Sequence, residues 1–470
     1  VTAPAGVRAD LTDPATWTKL DYPLQKSGMY NGEWQLGTGH GMWSHDEDGN
    51  LIPFRYHWAQ REATETIIYL YEVRGIHNVA ELMFDFGTED LQDLALGIPP
   101  EEDRWLRACC KVATGGGKTK VMSLAIAWSY FHRLREPGSN LPQHFVVIAP
   151  NLTVYERLKD DFENCAIFYQ DPVIPEEWRS DFQMQVVLQD EPGGSTITGA
   201  IYLTNIHRLY ESRDNNGQEA EESAAIFGPP VKRAAALETG MALRERITSH
   251  PSLMVLNDEA HHLHDPDLAW NRAIDTLHSQ SVSRGNAGIL LQLDFTATPK
   301  HTDGSLFRHI VCDFPLGEAV DAGIVKVPVL GESEELVVHG DRQTPAHERY
   351  ATHLKLGYQR YEAQYQELSR VRKPILFVMT EDARAANEIA DYLDSDQFPL
   401  LKGRVLNIHT RLKGRIRTVV RGGREIQEFV ENETAIKPED LRALREMSRE
   451  LDAQDSNLRC VVSVMMLREG

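Results

Sequence analysis

The chain has 470 residues and a formal net charge of −21 at pH 7, with the apolar content of an ordinary globular protein. This length predicts two or three domains, and the acidic balance excludes attachment to nucleic acid by overall charge, although it leaves room for a local basic groove. No run approaches the roughly eighteen apolar residues of a membrane helix, and the five cysteines form neither a CxxC pair nor a Cys/His quartet. We therefore expect a cytoplasmic protein with reduced thiols and no membrane association.

Strands and helices are predicted in alternation after residues 1–50, an irregular N-terminal extension of weak periodicity. Between residues 51 and 325, short apolar runs alternate with longer amphipathic segments. The predicted strands cover 107–112, 144–149, 199–203, 252–256 and 288–295, and the predicted helices cover 121–133 and 151–164. This alternation predicts a parallel sheet covered on both faces, in which ligands bind at the carboxyl ends of the strands.

A second alternating set follows the segment at residues 323–340, where Gly, Pro and Glu interrupt the pattern and indicate a domain boundary. In this second part, residues 326–470, the predicted helices cover 350–370, 382–393 and 437–451, and the predicted strands cover 374–379, 404–408 and 458–467. The predicted fold class is therefore α/β, with two parallel-sheet domains at 51–325 and 326–470.

One stretch of the second part, residues 402–424, is basic within this acidic chain. Its cations are Lys402, Arg404, Arg411, Lys413, Arg415, Arg417, Arg421 and Arg424. Two interpretations remain open at this point: a solvated loop, or a surface that follows the phosphates of a nucleic acid and displaces their counterions.

A glycine-rich segment with the sequence Val-Ala-Thr-Gly-Gly-Gly-Lys-Thr occupies residues 112–119, between a predicted strand and a predicted helix. Glycines let backbone N–H groups converge on phosphate oxygens at a helix N-terminus. We predict that Lys118 pairs with the outer phosphates of a nucleotide and that the Thr119 hydroxyl binds Mg²⁺. The predicted nucleotide-binding residues of this loop are Thr114, Gly115, Gly116, Gly117, Lys118 and Thr119. Val112 replaces the first glycine of the usual pattern, and a simple turn before a helix is the alternative interpretation.

A second polar cluster ends the predicted strand at 252–256, where Asp258 and Glu259 precede Ala260 and His261. Two adjacent carboxylates can divide the work of hydrolysis. We predict that Asp258 holds Mg²⁺ and that Glu259 orients and deprotonates the attacking water, with His261 as a further catalytic residue. Taken alone, the same four residues are also compatible with an exposed acidic turn.

The order of these motifs resembles that of superfamily 2 helicases and translocases of the DEAD/DEAH type. Further segments resemble that family's motifs in the same order, namely residues 55–60, 149–151, 204–205, 296–298, 375–377, 407–410 and 463–470. The strings Ala-Thr-Gly-x-Gly-Lys-Thr, Phe-Thr-Ala-Thr-Pro and Met-Leu-x-Glu-Gly are most similar to those of the Res subunits of type III restriction enzymes and of related bacterial defence helicases.

This resemblance implies two RecA-like motor domains that bind ATP and Mg²⁺, with Gln60 reading the adenine and Thr119 and Asp258 holding the metal. It implies contact with nucleic acid, or coupling to it, for Pro150, Asn151, Thr204, Thr296, Thr298 and Thr410. The family continues with an arginine-bearing motif where this chain stops at Gly470, so we expect the second motor domain to be incomplete.

The function expected from the resemblance is an ATP-dependent DNA translocase or helicase of a restriction or phage-defence system. An RNA helicase is one alternative, because contacts to the 2′-hydroxyl cannot be read from the sequence. An ATP-gated recognition or scaffold subunit that does not translocate is another. DNA is the favoured partner, together with a nuclease or methyltransferase domain or subunit outside this chain.

Overall fold

The computed structural model describes residues 43–45, 51–53, 56–99, 103–150, 152–171, 173–174, 176–189, 198–210, 242–262, 269–301, 304–327, 329, 331, 340, 343–370, 373–408, 413–421, 424–435 and 456–464. The chain divides into two compact units, Val1–Val327 and Pro328–Gly470. The division falls inside the segment at 323–340, where glycine and proline interrupt the regular elements.

The first unit is built around a parallel sheet of seven strands. A short antiparallel pair, β1 (Trp43–His45) and β2 (Leu51–Pro53), precedes it, so regular structure begins within the segment predicted to be irregular. The sheet strands are β3 (Leu106–Val112), β4 (His144–Ala149), β5 (Met184–Leu188), β6 (Gly199–Asn205), β7 (Ser252–Asp258), β8 (Gly288–Thr296) and β9 (Ile310–Phe314). Their order is β5-β6-β4-β7-β8-β3-β9, with every neighbouring pair parallel. The predicted α/β fold with a parallel sheet is confirmed.

The central strands are apolar on both faces. In β4, Phe145 and Val147 belong to the hydrophobic core on one side of the sheet, whereas Val146 and Ile148 belong to the core on the other side. All four side chains are completely buried. Such a strand is stable only when both faces of the sheet are covered, and this is why it reads as an uninterrupted apolar run in the sequence.

Helices follow most of these strands. The helices of the first unit are α1 (Trp58–Ile68), α2 (Val79–Phe86), α3 (Glu89–Ala95), α4 (Lys118–Arg135), α5 (Leu152–Phe162), α6 (Ala166–Gln170), α7 (His207–Tyr210), α8 (242–248), α9 (Ala269–Ser283) and α10 (Leu316–Asp321). Every residue of α4 from 121 to 131 is buried, which anchors this helix inside the unit. Nowhere in the described part of the chain is a helix both long and apolar enough to cross a membrane.

Four of the predicted motifs of the first unit lie at the carboxyl ends of adjacent strands. The glycine-rich loop follows β3, and the acidic motif follows β7. The segment at 296–298 follows β8, which pairs with both of those strands. Pro150 follows β4, which pairs with β7 on its other side. Because all these strands run in one direction, their carboxyl ends meet at a single edge of the sheet.

The second unit contains a parallel sheet of three strands. Its strands are β10 (Leu376–Thr380), β11 (Val405–Ile408) and β14 (Cys460–Val464), with β14 between the other two. Helices α11 (Ala346–Arg349), α12 (Ala351–Leu368) and α13 (Ala383–Leu393) accompany it, and buried side chains of α12 and α13 share one hydrophobic core with β14. The predicted helix at 437–451 lies outside the described residues.

The basic stretch of this unit forms an antiparallel ribbon. Strands β12 (Lys413–Arg421) and β13 (Arg424–Ala435) pair along their lengths. Residues 413–421 of the stretch are therefore a strand and not a loop, whereas Lys402 lies in an exposed turn before β11. Cationic and uncharged residues alternate along 413–417, β-branched residues follow at 418–420, and two glycines stand at 422 and 423. β-Branched residues before a two-glycine connection are typical of a β-hairpin.

Two histidine rings stack near the amino-terminal ends of the central strands. His144 begins β4 and His250 precedes β7, and their ring centroids are 3.6 Å apart. The Nε2 atom of His250 also lies 2.6 Å from the hydroxyl oxygen of Tyr202. Burial lowers the pKa of His144 to about 3, and the adjacent His250 adds to this shift. Burial likewise lowers the pKa of His250 to about 4, with a contribution from the charge of Arg246. The fold therefore favours two neutral rings.

We predict that this pair makes stability depend on pH. The pKa values of both histidines are lowered in the folded state. The stabilisation that the two neutral rings give the fold is therefore complete at pH values above the ordinary pKa of 6.5. It is lost as the pH falls toward about 4 and 3. His144→Phe keeps a ring and removes one titrating group. It should reduce the fall in unfolding free energy between about pH 7 and pH 4.5 by on the order of 1 kcal/mol, allowing for solvent screening.

Urea unfolding at both pH values measures this difference. The exposed His77 provides the control through His77→Phe. The same pH dependence in wild type, His144→Phe and His77→Phe would contradict the prediction.

Candidate nucleotide-binding site

The loop between β3 and α4 places positive charge and backbone donors at a helix N-terminus. Gly115 and Gly117 have φ angles of 84° and 87°, a region that favours glycine. Gly117 caps α4 in this left-handed conformation, and the first turn of the helix carries Lys118 and Lys120 without an acidic residue. The helix dipole and the N–H groups of this turn favour an anion at the loop.

The departure from the usual loop pattern at Val112 has a packing explanation. Val112 is the buried last residue of β3, and its Cγ1 lies 2.8 Å from the place that a Cβ on Gly116 would occupy. The carbonyl oxygen of Ala113 lies 2.9 Å from the same place, so Gly116 has no room for a side chain. The N–H of Gly116 donates to that oxygen at 2.8 Å and closes the turn. Thr114 and Gly115 are exposed at the tip of the loop.

Gln60 connects α1 to the loop. Its Nε2 donates to the carbonyl oxygen of Gly116 at 3.2 Å, and its Oε1 accepts the N–H of His57 at 3.0 Å. Next to it, the ring of Trp58 is 45% exposed and packs edge-on against Phe314, with 5.3 Å between the centroids. The residue predicted to read adenine thus contacts the phosphate-binding loop itself and lies beside an exposed aromatic surface.

Two ion pairs join basic side chains to the acidic motif. The Nζ of Lys118 pairs with the Oε1 of Glu259, and both side chains are 7% exposed. The Nη2 of Arg157, from α5, pairs with the Oδ2 of Asp258, which is only 1% exposed. Leaving such buried charges unpaired would cost several kcal/mol. Each carboxylate has its own cation, so the site is locally balanced.

The carboxyl group of Asp258 is influenced by burial and by three neighbouring charges. Burial raises its pKa, the charges of Lys118 and Arg157 oppose this shift, and the adjacent Glu259 adds to it. The Oδ1 of Asp258 accepts the N–H of Glu259 at 3.1 Å. The positive charges beside Asp258 therefore favour the ionised form of this carboxyl group and oppose the effect of burial on its pKa.

The acidic motif is linked directly to the segment at 296–298. Glu259 has a φ angle of 49°, a strained value for a residue other than glycine, and the chain turns there out of β7. The Nδ1 of His261 lies 3.0 Å from the Oγ1 of Thr296 and 3.7 Å from the Oε2 of Glu259. The same Thr296 oxygen accepts the N–H of Thr298 at 3.0 Å. One hydroxyl group therefore connects the two motifs.

A buried polar network centred on Asp294 of β8 adjoins the acidic motif. The Oδ1 of Asp294 accepts the side-chain amides of Asn257 at 2.7 Å and Gln292 at 3.0 Å, and its Oδ2 lies 3.0 Å from the Nε2 of His309. The indole N–H of Trp105 donates to the Oε1 of Gln292 at 3.1 Å. Asn257 immediately precedes the acidic motif, so the network fixes the end of β7 against β8.

The comparison with known families decides what kind of protein this site belongs to. The family described as type III restriction enzyme, res subunit, matches residues 54–301, which is more than half of the 470-residue chain. The chain belongs to this family. The predicted resemblance to superfamily 2 helicases of the type III restriction group is thereby confirmed. A search of curated proteins found no match.

The remaining residues predicted from the Res-family resemblance have different surroundings. Pro150 is buried after β4, and the fully buried Thr204 donates its hydroxyl to the carbonyl oxygen of the next residue at 3.0 Å. Thr298 is exposed at the sheet edge. Asn151 and Thr410 lie outside the described residues. Among the predicted contact residues that the structure describes, Thr298 is thus the one with an exposed side chain.

The donor atoms at this Res-family site suit Mg²⁺. Thr119 offers a partly exposed hydroxyl in the first turn of α4, and Asp258 offers a carboxylate at the end of β7. Within the described residues, no three His, Cys, Asp or Glu side chains come together as a metal site of their own. Mg²⁺ at nucleotide sites uses one or two protein oxygens together with phosphate oxygens and water, so these two residues fit it.

Two residues of this region were not predicted from the sequence. Arg157 lies on the helix after β4, the strand that pairs with β7, and this position was the available signal. Asp294 is an acidic residue inside an otherwise apolar strand, and a buried charge requires partners. Their pairing with Asp258 and Asn257 depends on contacts between strands that are distant in the chain.

We predict that Gly117→Ala damages the loop more than Gly138→Ala. Both glycines have positive φ angles of 87° and 85°, so both variants bear the same backbone cost of roughly 1–2 kcal/mol. A Cβ on Gly117 would overlap the Nε2 of Gln60, whereas nothing lies within 4 Å of a Cβ on Gly138. We expect Gly117→Ala to weaken the binding of a fluorescent ATP analogue by roughly tenfold, equivalent to about 1.4 kcal/mol. Equal affinities of the two variants in an equilibrium titration would contradict this.

Proposed function

We propose that this chain hydrolyses ATP with Mg²⁺ at the loop and acidic motif, and that hydrolysis drives movement along DNA in a restriction or phage-defence system. The observation that carries the proposal is the ion pair between Lys118 and Glu259, beside Asp258. It brings a phosphate-binding lysine, a candidate base and a candidate metal ligand together at the carboxyl edge of one parallel sheet, in a member of a helicase-type ATPase family.

The proposed chemistry begins with an exchange of partners. Lys118 leaves the carboxylate of Glu259 and binds the outer phosphate oxygens of ATP. Glu259 is then available to accept a proton from the attacking water. Thr119 and Asp258 would hold Mg²⁺, which would supply positive charge against the phosphates. His261 lies close enough to Glu259 to orient it and to connect it with Thr296.

The proposal assigns nucleic-acid contact or coupling to Pro150, Asn151, Thr204, Thr296, Thr298 and Thr410. The exposure of Thr298 supports direct contact, whereas the buried Thr204 and Thr296 would act by holding neighbouring backbone in place.

Residues 51–325 and 326–470 would be the two motor domains, and Gln60 would read the adenine. Five buried free cysteines suit the reducing cytoplasm, where we place the protein.

The partner class is tested by comparing steady-state ATP hydrolysis without polymer and with duplex DNA, single-stranded DNA or RNA. Stimulation by DNA, together with ATP-dependent displacement of a triplex-forming strand from duplex DNA, supports a DNA translocase. Stimulation by RNA alone would favour the RNA helicase. ATP binding with no stimulation and no displacement would favour the ATP-gated recognition or scaffold subunit. A nuclease or methyltransferase domain or subunit is the further partner we propose for the first outcome.

We predict that Lys118→Ala lowers the turnover number for ATP by roughly 10²-fold or more, because the positive charge against the outer phosphates is lost. Lys111→Ala is the matched control. Lys111 lies on β3 before the loop and pairs with Asp313 at 2.9 Å, away from the acidic motif. Circular dichroism establishes that both variants are folded. Undiminished turnover in folded Lys118→Ala would remove this lysine from the mechanism.

Glu259→Gln should preserve ATP binding and stop hydrolysis, because the amide keeps the shape of the side chain but cannot accept the proton. It also releases Lys118 from its ion pair, so the affinity for ATP should be equal to or higher than that of wild type. Calorimetry gives the affinity and phosphate release gives the rate. Glu163→Gln, which removes a more exposed carboxylate on the same unit, serves as the control. A joint collapse of affinity and rate in Glu259→Gln would show that Glu259 is not acting mainly as the base.

A further inference from the structure

Arg157 is a basic residue at the acidic motif to which neither the loop nor the known motifs assign a role. It lies on α5, and its guanidinium pairs with the carboxylate of Asp258. The two partners differ strongly in environment. The side chain of Asp258 is 1% exposed, whereas that of Arg157 is 46% exposed. The carboxylate is therefore fixed in the protein, while the guanidinium has a path toward solvent.

Both oxygen atoms of Asp258 are engaged. Its Oδ1 accepts the N–H of Glu259 at 3.1 Å, and its Oδ2 accepts Arg157. A divalent cation that approaches Asp258, directly or through a water ligand, encounters a carboxylate whose Oδ2 already faces a positive charge. Two cations cannot share that oxygen without repelling each other. Binding of Mg²⁺ at Asp258 and pairing of Asp258 with Arg157 must therefore oppose one another.

The displaced guanidinium would not be left uncompensated. Asp161 lies one helical turn beyond Arg157 on α5, in the i,i+4 relation that favours an ion pair. Burial raises the pKa of Asp161, and the charges of Arg157 and Lys120 oppose that shift. The charge of Arg157 thus already acts on a second acidic residue, Asp161. The half-exposed side chain of Arg157 can turn toward Asp161 at little cost.

We propose that Arg157 is a positioning residue that competes with Mg²⁺ for Asp258, so that this site binds the metal with its nucleotide only as the arginine is displaced. The proposal rests on the function proposed above, and it adds a residue that opposes metal binding at the same site. In the absence of bound metal, Arg157 pairs with Asp258 and holds its carboxylate in place. The metal and the phosphates must together replace the stabilisation that the ion pair supplied. Removing Arg157 should therefore strengthen the effect of Mg²⁺ on nucleotide binding.

The test is the ratio of ADP affinities with excess Mg²⁺ and with EDTA, measured by calorimetry on the full chain at about pH 8. Arg157→Gln should raise this ratio by roughly three- to tenfold over wild type, the range expected for an ion pair with one buried and one half-exposed partner. Arg157→Lys keeps the charge and should give a ratio close to that of wild type. Lys159→Gln removes a cation from the same helix that pairs instead with Glu163, and it should also leave the ratio unchanged.

A purely structural role for Arg157 predicts a different result. If Arg157→Gln merely loosened the site, ADP would bind more weakly with and without Mg²⁺, and the ratio would stay constant or fall. Either result would overturn the proposal while leaving the proposed function intact, provided that wild type binds ADP more tightly with Mg²⁺. Failure of wild type to bind ADP under both conditions would overturn the proposed function, and this inference with it.

Discussion

Two buried carboxylates at the end of one strand set the main constraint on this structure. Asp258 and Glu259 lie at the end of β7 with buried side chains, and a buried charge requires a nearby partner of opposite charge. The cations come from two different helices, Lys118 from the start of α4 and Arg157 from α5. The parallel sheet makes this possible, because it gathers the carboxyl ends of β3, β4 and β7 at one edge and sends a helix away from two of them. The electrostatics of the acidic motif and the topology of the sheet therefore depend on each other.

On the proposed function, the same balance of charge explains how the site would bind nucleotide and release it. On the proposed function, ATP brings negative phosphates that attract Lys118, and the metal brings positive charge back to the carboxylates. Each ion pair is exchanged for a similar interaction and is not simply broken. Because every partner is replaced, the net change in free energy can remain small while the arrangement of side chains changes completely. A site that must cycle through binding and release benefits from such near-equality, whereas permanently unpaired carboxylates would destabilise the fold.

The central strands and the motif residues could be predicted from the sequence, whereas the edge strands and the long-range partners of the motifs could not. The apolar run at 144–149 matched β4 because a strand buried on both faces leaves a continuous signal. The edge strands β5 and β9 were missed, since partial burial weakens the pattern in Met184–Leu188 and pairing across the chain defines Ile310–Phe314. The glycine-rich loop and the acidic motif carry their chemistry in residues adjacent in sequence. Arg157 and Asp294 act through partners far away in the chain, so only the folded structure reveals them.

The buried network around Asp294 bears on where this site can change shape. Asp294 of β8 accepts the side-chain amide of Asn257 in β7, just before the acidic motif, and it also lies within hydrogen-bonding distance of His309 just before β9. Strand β8 is therefore linked to its neighbour β7 and, across β3, to the start of β9. Breaking such contacts would leave a buried charge without partners, which makes movement at this level costly. Thr296 lies two residues further along β8. Its hydroxyl oxygen is within hydrogen-bonding distance of the Nδ1 of His261, and it accepts the N–H of Thr298. A change in the positions of Glu259 and His261 can therefore change the position of the exposed Thr298 through the hydroxyl group of Thr296. The strands of the sheet need not move. Movement linked to hydrolysis is most easily accommodated in this turn, at the strained backbone of Glu259 and the residues it contacts.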